Sequence, residues 1–162
     1  MAWFAAAASL VVAVLVLQRL LRLAHDAPNL VAADPNWIAG GGLAEALSLR
    51  LAAEPAAGRV RPGISFVAKS GEYCRTFIAP QDQHTVAGLA CREQDTWRIP
   101  VLEPIDESPG ARGDYRQAAS ALPPQVLRAV ESRIAGEPLD AAGEARARDR
   151  GWKRASEDGS RP

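Results

Sequence analysis

Both cysteines of the 162-residue chain lie in one stretch, GEYCRTFIAPQDQHTVAGLACREQDTW, from Gly71 to Trp97, and each is followed by an arginine. Either side of the polar loop APQDQH the residues alternate as strands do: YCRTFI, Tyr73 to Ile78, and TVAGLACR, Thr85 to Arg92. A period of two sends successive side chains to opposite faces, so setting Cys74 opposite Cys91 also sets Thr76 against Leu89 and Ile78 against Ala87. Opposed Cβ atoms on neighbouring antiparallel strands lie ~4.5–5.5 Å apart, a little wide for the ~3.5–4.5 Å of a disulfide. A non-hydrogen-bonded pair, or a bulge at Gly88, closes the gap. The bridge would enclose about 16 residues and stabilise the fold by ~3 kcal/mol.

Two other readings of the cysteines exist. Cys74, His84 and Cys91 offer metal-ligand chemistry, but the spacing matches no zinc pattern and CxxC pairs are absent. A thiolate with His84 or His25 as base offers nucleophilic catalysis, but His25 sits beside an apolar N-terminal run. We therefore read Cys74 and Cys91 as a disulfide and expect no catalytic residues, no metal and no cofactor. A disulfide implies an oxidising compartment.

The arginines that follow the cysteines face the other side of the sheet. With Tyr73, Phe77 and Trp97 nearby, Arg75 and Arg92 are placed to stack on aromatic rings or to pair with Glu72 and Glu93. This face is either solvated or a partner-reading surface made of Tyr73, Arg75, Phe77, Arg92 and Trp97.

Alternation extends to ISFVAK, Ile64 to Lys69, and WRIPVL, Trp97 to Leu102, with Pro100 favouring an edge position. Four short strands with tight connections predict an antiparallel meander. Before it, LAEALSLRLAAE (Leu43 to Glu54) reads as a helix, and DAPNLVAADPNWIAGGG, with its prolines and triple glycine, as a linker. After it, YRQAASALPPQVLRAVESRIAG places Val126, Leu127, Val130 and Ile134 on a helical stripe ending at Gly136. EPLDAAGEARARDRGW predicts a second helix ending at Gly151, with Trp152 folding back onto apolar surface.

The N-terminal run AWFAAAASLVVAVLVL, Ala2 to Leu17, would be roughly 24 Å long as a helix, short of a ~30 Å hydrocarbon core. Continuing to Leu23 supplies the length if Arg19 and Arg22 snorkel and Trp3 takes the far interface. A membrane anchor is the reading adopted; a cleaved signal peptide and a buried core helix are the alternatives. The flanking arginines alone would keep the rest of the chain in the cytoplasm, whereas the cysteines argue for the periplasm, and we follow the cysteines. Nineteen basic and nineteen acidic residues balance to zero, so no overall field favours nucleic acid.

GEYCRTF followed by AGLACREQDTWRI resembles the small cysteine-containing C-terminal domain of alphaproteobacterial transmembrane anti-sigma factors. A similar Tyr-Cys-Arg and Ala-Cys-Arg pairing occurs in rickettsial-type outer-membrane surface antigens. The tail from Tyr115 to Trp152 looks like the anti-sigma proteins in particular, and the resemblance covers roughly Leu43 to Trp152 plus the anchor. It implies a periplasmic sensor or interaction domain on one inner-membrane helix. The sigma-binding part would lie before the anchor and is missing from this chain. Partners implied are the inner membrane, a sigma factor through that missing part, and a periplasmic protein or protease. The alternative is a stand-alone cell-envelope protein of the surface-antigen type.

The expected organisation is α+β: a transmembrane helix over 1–24, a linker over 25–42, and a small disulfide-clasped domain over 43–102 holding the four-stranded meander. A loop over 103–114, a C-terminal helical pair over 115–152 and a disordered tail over 153–162 follow.

Overall fold

The structure, a computed structural model, describes residues 28–33, 36–55, 58–81, 84–105 and 122–154. The expected transmembrane segment, residues 1–24, lies outside these, as do His25, residues 106–121 and the tail beyond Arg154. Among the described residues no helix is long and apolar enough to cross a membrane.

The meander is present and its strands run longer than their alternation suggests: β3 Arg61–Val67, β4 Tyr73–Gln81, β5 His84–Glu93 and β6 Thr96–Ile105. Two more strands, β1 Pro28–Ala33 and β2 Asn36–Gly40, form a hairpin that joins β6, giving a six-stranded antiparallel sheet in the order β1-β2-β6-β5-β4-β3. The stretch expected as a linker over 25–42 therefore carries two strands and the start of a helix. Its short apolar runs pair with each other and then with β6, at Trp37↔Ile99 and Ile38↔Arg98, which buries Ala39 and half-buries Leu30. Gly41 adopts φ 46°, a backbone that favours glycine, where strand turns into helix α1, Gly41–Leu49.

Pro100 does not sit at an edge, because β6 lies between β5 and β2. The β5–β6 register shifts between Leu89↔Val101 and Cys91↔Arg98, so Ile99 and Pro100 together oppose Ala90. A bulge tolerates the missing N–H that an interior ladder would not.

Helices cover both faces. On one, α1 and helix α3 (Ala141–Asp149) pack with Tyr73, Phe77, Ala90, Trp97, Ile99 and Trp152. On the other, helix α2 (Pro124–Arg133) lays Val126, Ala129 and Val130 over Phe66, Leu89 and the two cysteines. The expected C-terminal pair thus straddles the sheet and does not pack on itself. The segment between the two helices also closes the β3 edge: Lys69 N–H donates to the Arg133 carbonyl at 2.8 Å, Ala135 N–H to Val67 at 3.0 Å and Leu139 N–H to Ser65 at 2.7 Å. These bonds satisfy an edge that would otherwise invite pairing with another chain.

Candidate functional site

The register is the one the cysteine pairing requires: Cys74↔Cys91, Thr76↔Leu89 and Ile78↔Ala87. The two sulfurs are bonded, and their Cα atoms lie 4.0 Å apart, the close approach of a non-hydrogen-bonded pair. Gly88 makes no bulge in this ladder, which runs unbroken from Cys74↔Cys91 to Gln81↔His84. It instead leaves room for the Phe77 ring, which a Cβ there would meet at 2.6 Å. Glu72 brings a carboxylate beside both sulfurs, but the S–S bond leaves no thiolate to bind an ion. The bridge lies buried beneath α2, and His84 is exposed at the start of β5.

The five residues expected to read a partner occupy the other face, where the structure corrects their role. Tyr73, Arg75, Phe77 and Trp97 are all buried, because α1, α3 and Trp152 close over them. Arg75 is fully buried and its partner is not Glu72 but Glu144, at 2.7 Å. Its Nε donates to Ser65 Oγ at 2.8 Å and its Nη1 to the Leu47 carbonyl at 2.5 Å. Ser65 Oγ donates in turn to Glu144 Oε1 at 2.6 Å, and the other carboxylate oxygen accepts from Ala52 N–H at 2.9 Å. One ion pair thereby ties β3, β4, α3 and the C-terminus of α1. Burial lowers the proton affinity of the guanidinium, and the Glu144 charge draws it back up.

Trp152 completes this arrangement. Gly151 and Trp152 take left-handed backbones, at φ 68° and 60°, and Trp152 N–H bonds the Ala147 carbonyl at 2.8 Å to end α3. A tryptophan in that conformation is strained. Its surroundings hold it: the indole N–H donates to the Ser48 carbonyl at 2.9 Å, and the ring meets Tyr73 at 5.8 Å and Trp97 at 5.6 Å, both edge-on. The Arg75 guanidinium lies 4.4 Å from the ring centroid. Arg75 and Trp152 thus satisfy two of the last α1 carbonyls, those of Leu47 and Ser48, which have no partner within the helix.

Arg92 alone of the five reaches the surface. It pairs across the ladder with Trp97, and its guanidinium rests 5.5 Å from that ring. Its carboxylate is Asp95, at 3.7 Å, and not Glu93, which pairs with Arg98. Burial lowers its proton affinity too, with Asp95 opposing. Arg92, Arg98 and Arg154, with Glu93, Thr96 and Trp152, line a cleft of about 430 Å³ beside the β5–β6 turn. This cleft is the candidate site. Sequence reasoning found Arg92 and missed Arg98, Arg154 and the wall that Trp152 supplies. The alternation of WRI placed Arg98 on the face away from Trp97, and Arg154 belongs to a tail read as disordered.

No curated protein and no solved structure matches the chain. Residues 48–98 match the model of a family described as 17 kDa outer membrane surface antigen. That similarity runs from the last turn of α1 into the start of β6. It includes both cysteines, Arg75 and Arg92, and leaves out Glu144 and Trp152.

Proposed function

We propose that this chain is a cell-envelope domain of the surface-antigen type, acting through binding and architecture rather than catalysis. The observation that carries the reading is the match over residues 48–98, which coincides with the disulfide-bearing part of the sheet. A cross-strand bond of this kind persists in an oxidising compartment. The apolar run from Ala2 to Leu17 gives a means of holding the domain at a membrane. The test is fractionation of cells expressing the full chain, with thiol alkylation before and after reduction. Envelope-bound protein with both thiols blocked until reduced is the expected result. Cytosolic protein with two free thiols would overturn the reading.

A second reading, the periplasmic part of a transmembrane anti-sigma regulator, draws on the tail. The stretch that resembles those proteins in sequence, Tyr115 to Trp152, supplies α2, α3 and the Glu144 partner of Arg75. A reading frame continuing upstream of Met1 into an amphipathic helical domain, next to a sigma-factor gene, would favour it; a stop codon just upstream would remove it.

A further inference from the structure

We infer that the cleft beside the β5–β6 turn binds an oxyanion of the phosphate type. Three guanidinium groups, from Arg92, Arg98 and Arg154, line it, and of their carboxylate partners Asp95, Glu93 and Glu72 it is Glu93 that shares the lining. Arg92 is positioned before any ligand arrives: its side chain is 15% exposed and rests on the Trp97 ring. It is also short of acceptors. Asp95 reaches it at 3.7 Å from a side chain that is 88% exposed, and its buried Nε has no acceptor among the described residues. An unmet buried donor costs ~1–3 kcal/mol, a deficit that an incoming anion relieves. The other two arginines have partners a ligand can displace. Glu93 is half-exposed where it meets Arg98, and Glu72 meets Arg154 at 3.6 Å. The half-exposed Arg98–Glu93 pair is of a kind that contributes only ~0–1 kcal/mol, and Arg154 meets its less exposed carboxylate only at 3.6 Å, so a phosphate oxygen competes with both. Guanidinium forks suit phosphate oxygens better than a lysine point charge does. The volume accommodates a headgroup-sized ligand and the lining is polar, which argues against an apolar occupant. The inference rests on the cleft's own residues and stands apart from the envelope reading.

The same chemistry serves a soluble phosphate or an anionic lipid headgroup, and the experiment separates them. The full chain, in zwitterionic detergent micelles, is titrated with inorganic phosphate, and separately with phosphatidylglycerol doped in against a phosphatidylcholine control. The readouts are the Nε–Hε NMR signal of Arg92 and the indole signal of Trp152. Saturable shifts of both signals are expected, with affinity about tenfold weaker in Arg92→Gln and in Arg154→Gln, each worth one charge-assisted contact. Because Arg92 is partly buried, Arg154→Gln keeps the test valid should Arg92→Gln fold poorly. Response to both probes supports a site for the phosphate group itself, and response to phosphatidylglycerol alone supports the site with a lipid as its source. Absence of saturable shifts with either probe, or unchanged affinity in Arg154→Gln, overturns the proposal.

Discussion

The Arg75 guanidinium meets the Glu144 carboxylate at 2.7 Å across 69 residues of chain, and the two side chains are 0% and 4% exposed. Removing one partner strands the other as an uncompensated buried charge. Arg75→Met and Glu144→Leu should each lower stability by roughly 3–5 kcal/mol in urea titration. The double variant Arg75→Met/Glu144→Leu should recover much of that loss, because two apolar side chains leave no charge behind. Strictly additive losses would show that the pair is not the organising contact described here.

The bridge between Cys74 and Cys91 lies under Val126, Ala129 and Val130, with Cys74 fully buried. A reductant therefore meets it only when α2 lifts or the domain unfolds. Alkylation after brief reduction should stay low in buffer and go to completion in denaturant. Replacing both cysteines with alanine should cost ~3 kcal/mol by the chain-entropy model, for a separation of 17 residues. Rapid reduction under native conditions would argue instead for an exposed, switchable bond.

How much of this was legible follows from where each interaction lies along the chain. The cross-strand register was readable because it is local: alternation and two cysteines fix every pair from Cys74↔Cys91 to Ile78↔Ala87. The β1–β2 hairpin was not read, because prolines and a triple glycine signal a linker and alanine and glycine carry little strand signal. Arg75 shares a sheet face with Tyr73, Phe77 and Ala79, and that face reads in the sequence as solvated or partner-binding, because the residues that bury it, on α1, α3 and at Trp152, lie far away along the chain. The partner itself was not legible. Glu144 belongs to the charged helix AAGEARARD, and only the chain's path from the β3 edge over to the face opposite α2 distinguishes it from its exposed neighbours.

Trp152 joins the buried ion pair to the candidate cleft, since it lies against Arg75 on one side and lines the cleft on the other. Trp152→Ala removes a fully buried indole, its bond to the Ser48 carbonyl and its contacts with Tyr73 and Trp97. A loss of ~3–5 kcal/mol is expected on thermal or urea unfolding. Trp152→Phe keeps a ring but leaves the carbonyl without its donor, and should cost less. Equal losses for the two would place the stabilisation in the hydrogen bond alone.

Gly88 lies opposite Phe77 in the central ladder, where a Cβ would come within 2.6 Å of the ring and 2.9 Å of the Val101 carbonyl. One of those obstacles is backbone and cannot rotate aside. The ring has nowhere to retreat either, since Phe77 is fully buried in the layer under α1 and α3. Gly88→Ala should therefore destabilise by about 1–3 kcal/mol, against the usual gain from restricting the unfolded chain. Pairing it with Phe77→Leu tests the cause: a smaller side chain removes the ring clash and should return part of the loss, measured as a shift in urea midpoint at constant slope. Without any such recovery, the Val101 carbonyl is the obstacle that decides, and the glycine serves the β5–β6 pairing more than the aromatic packing.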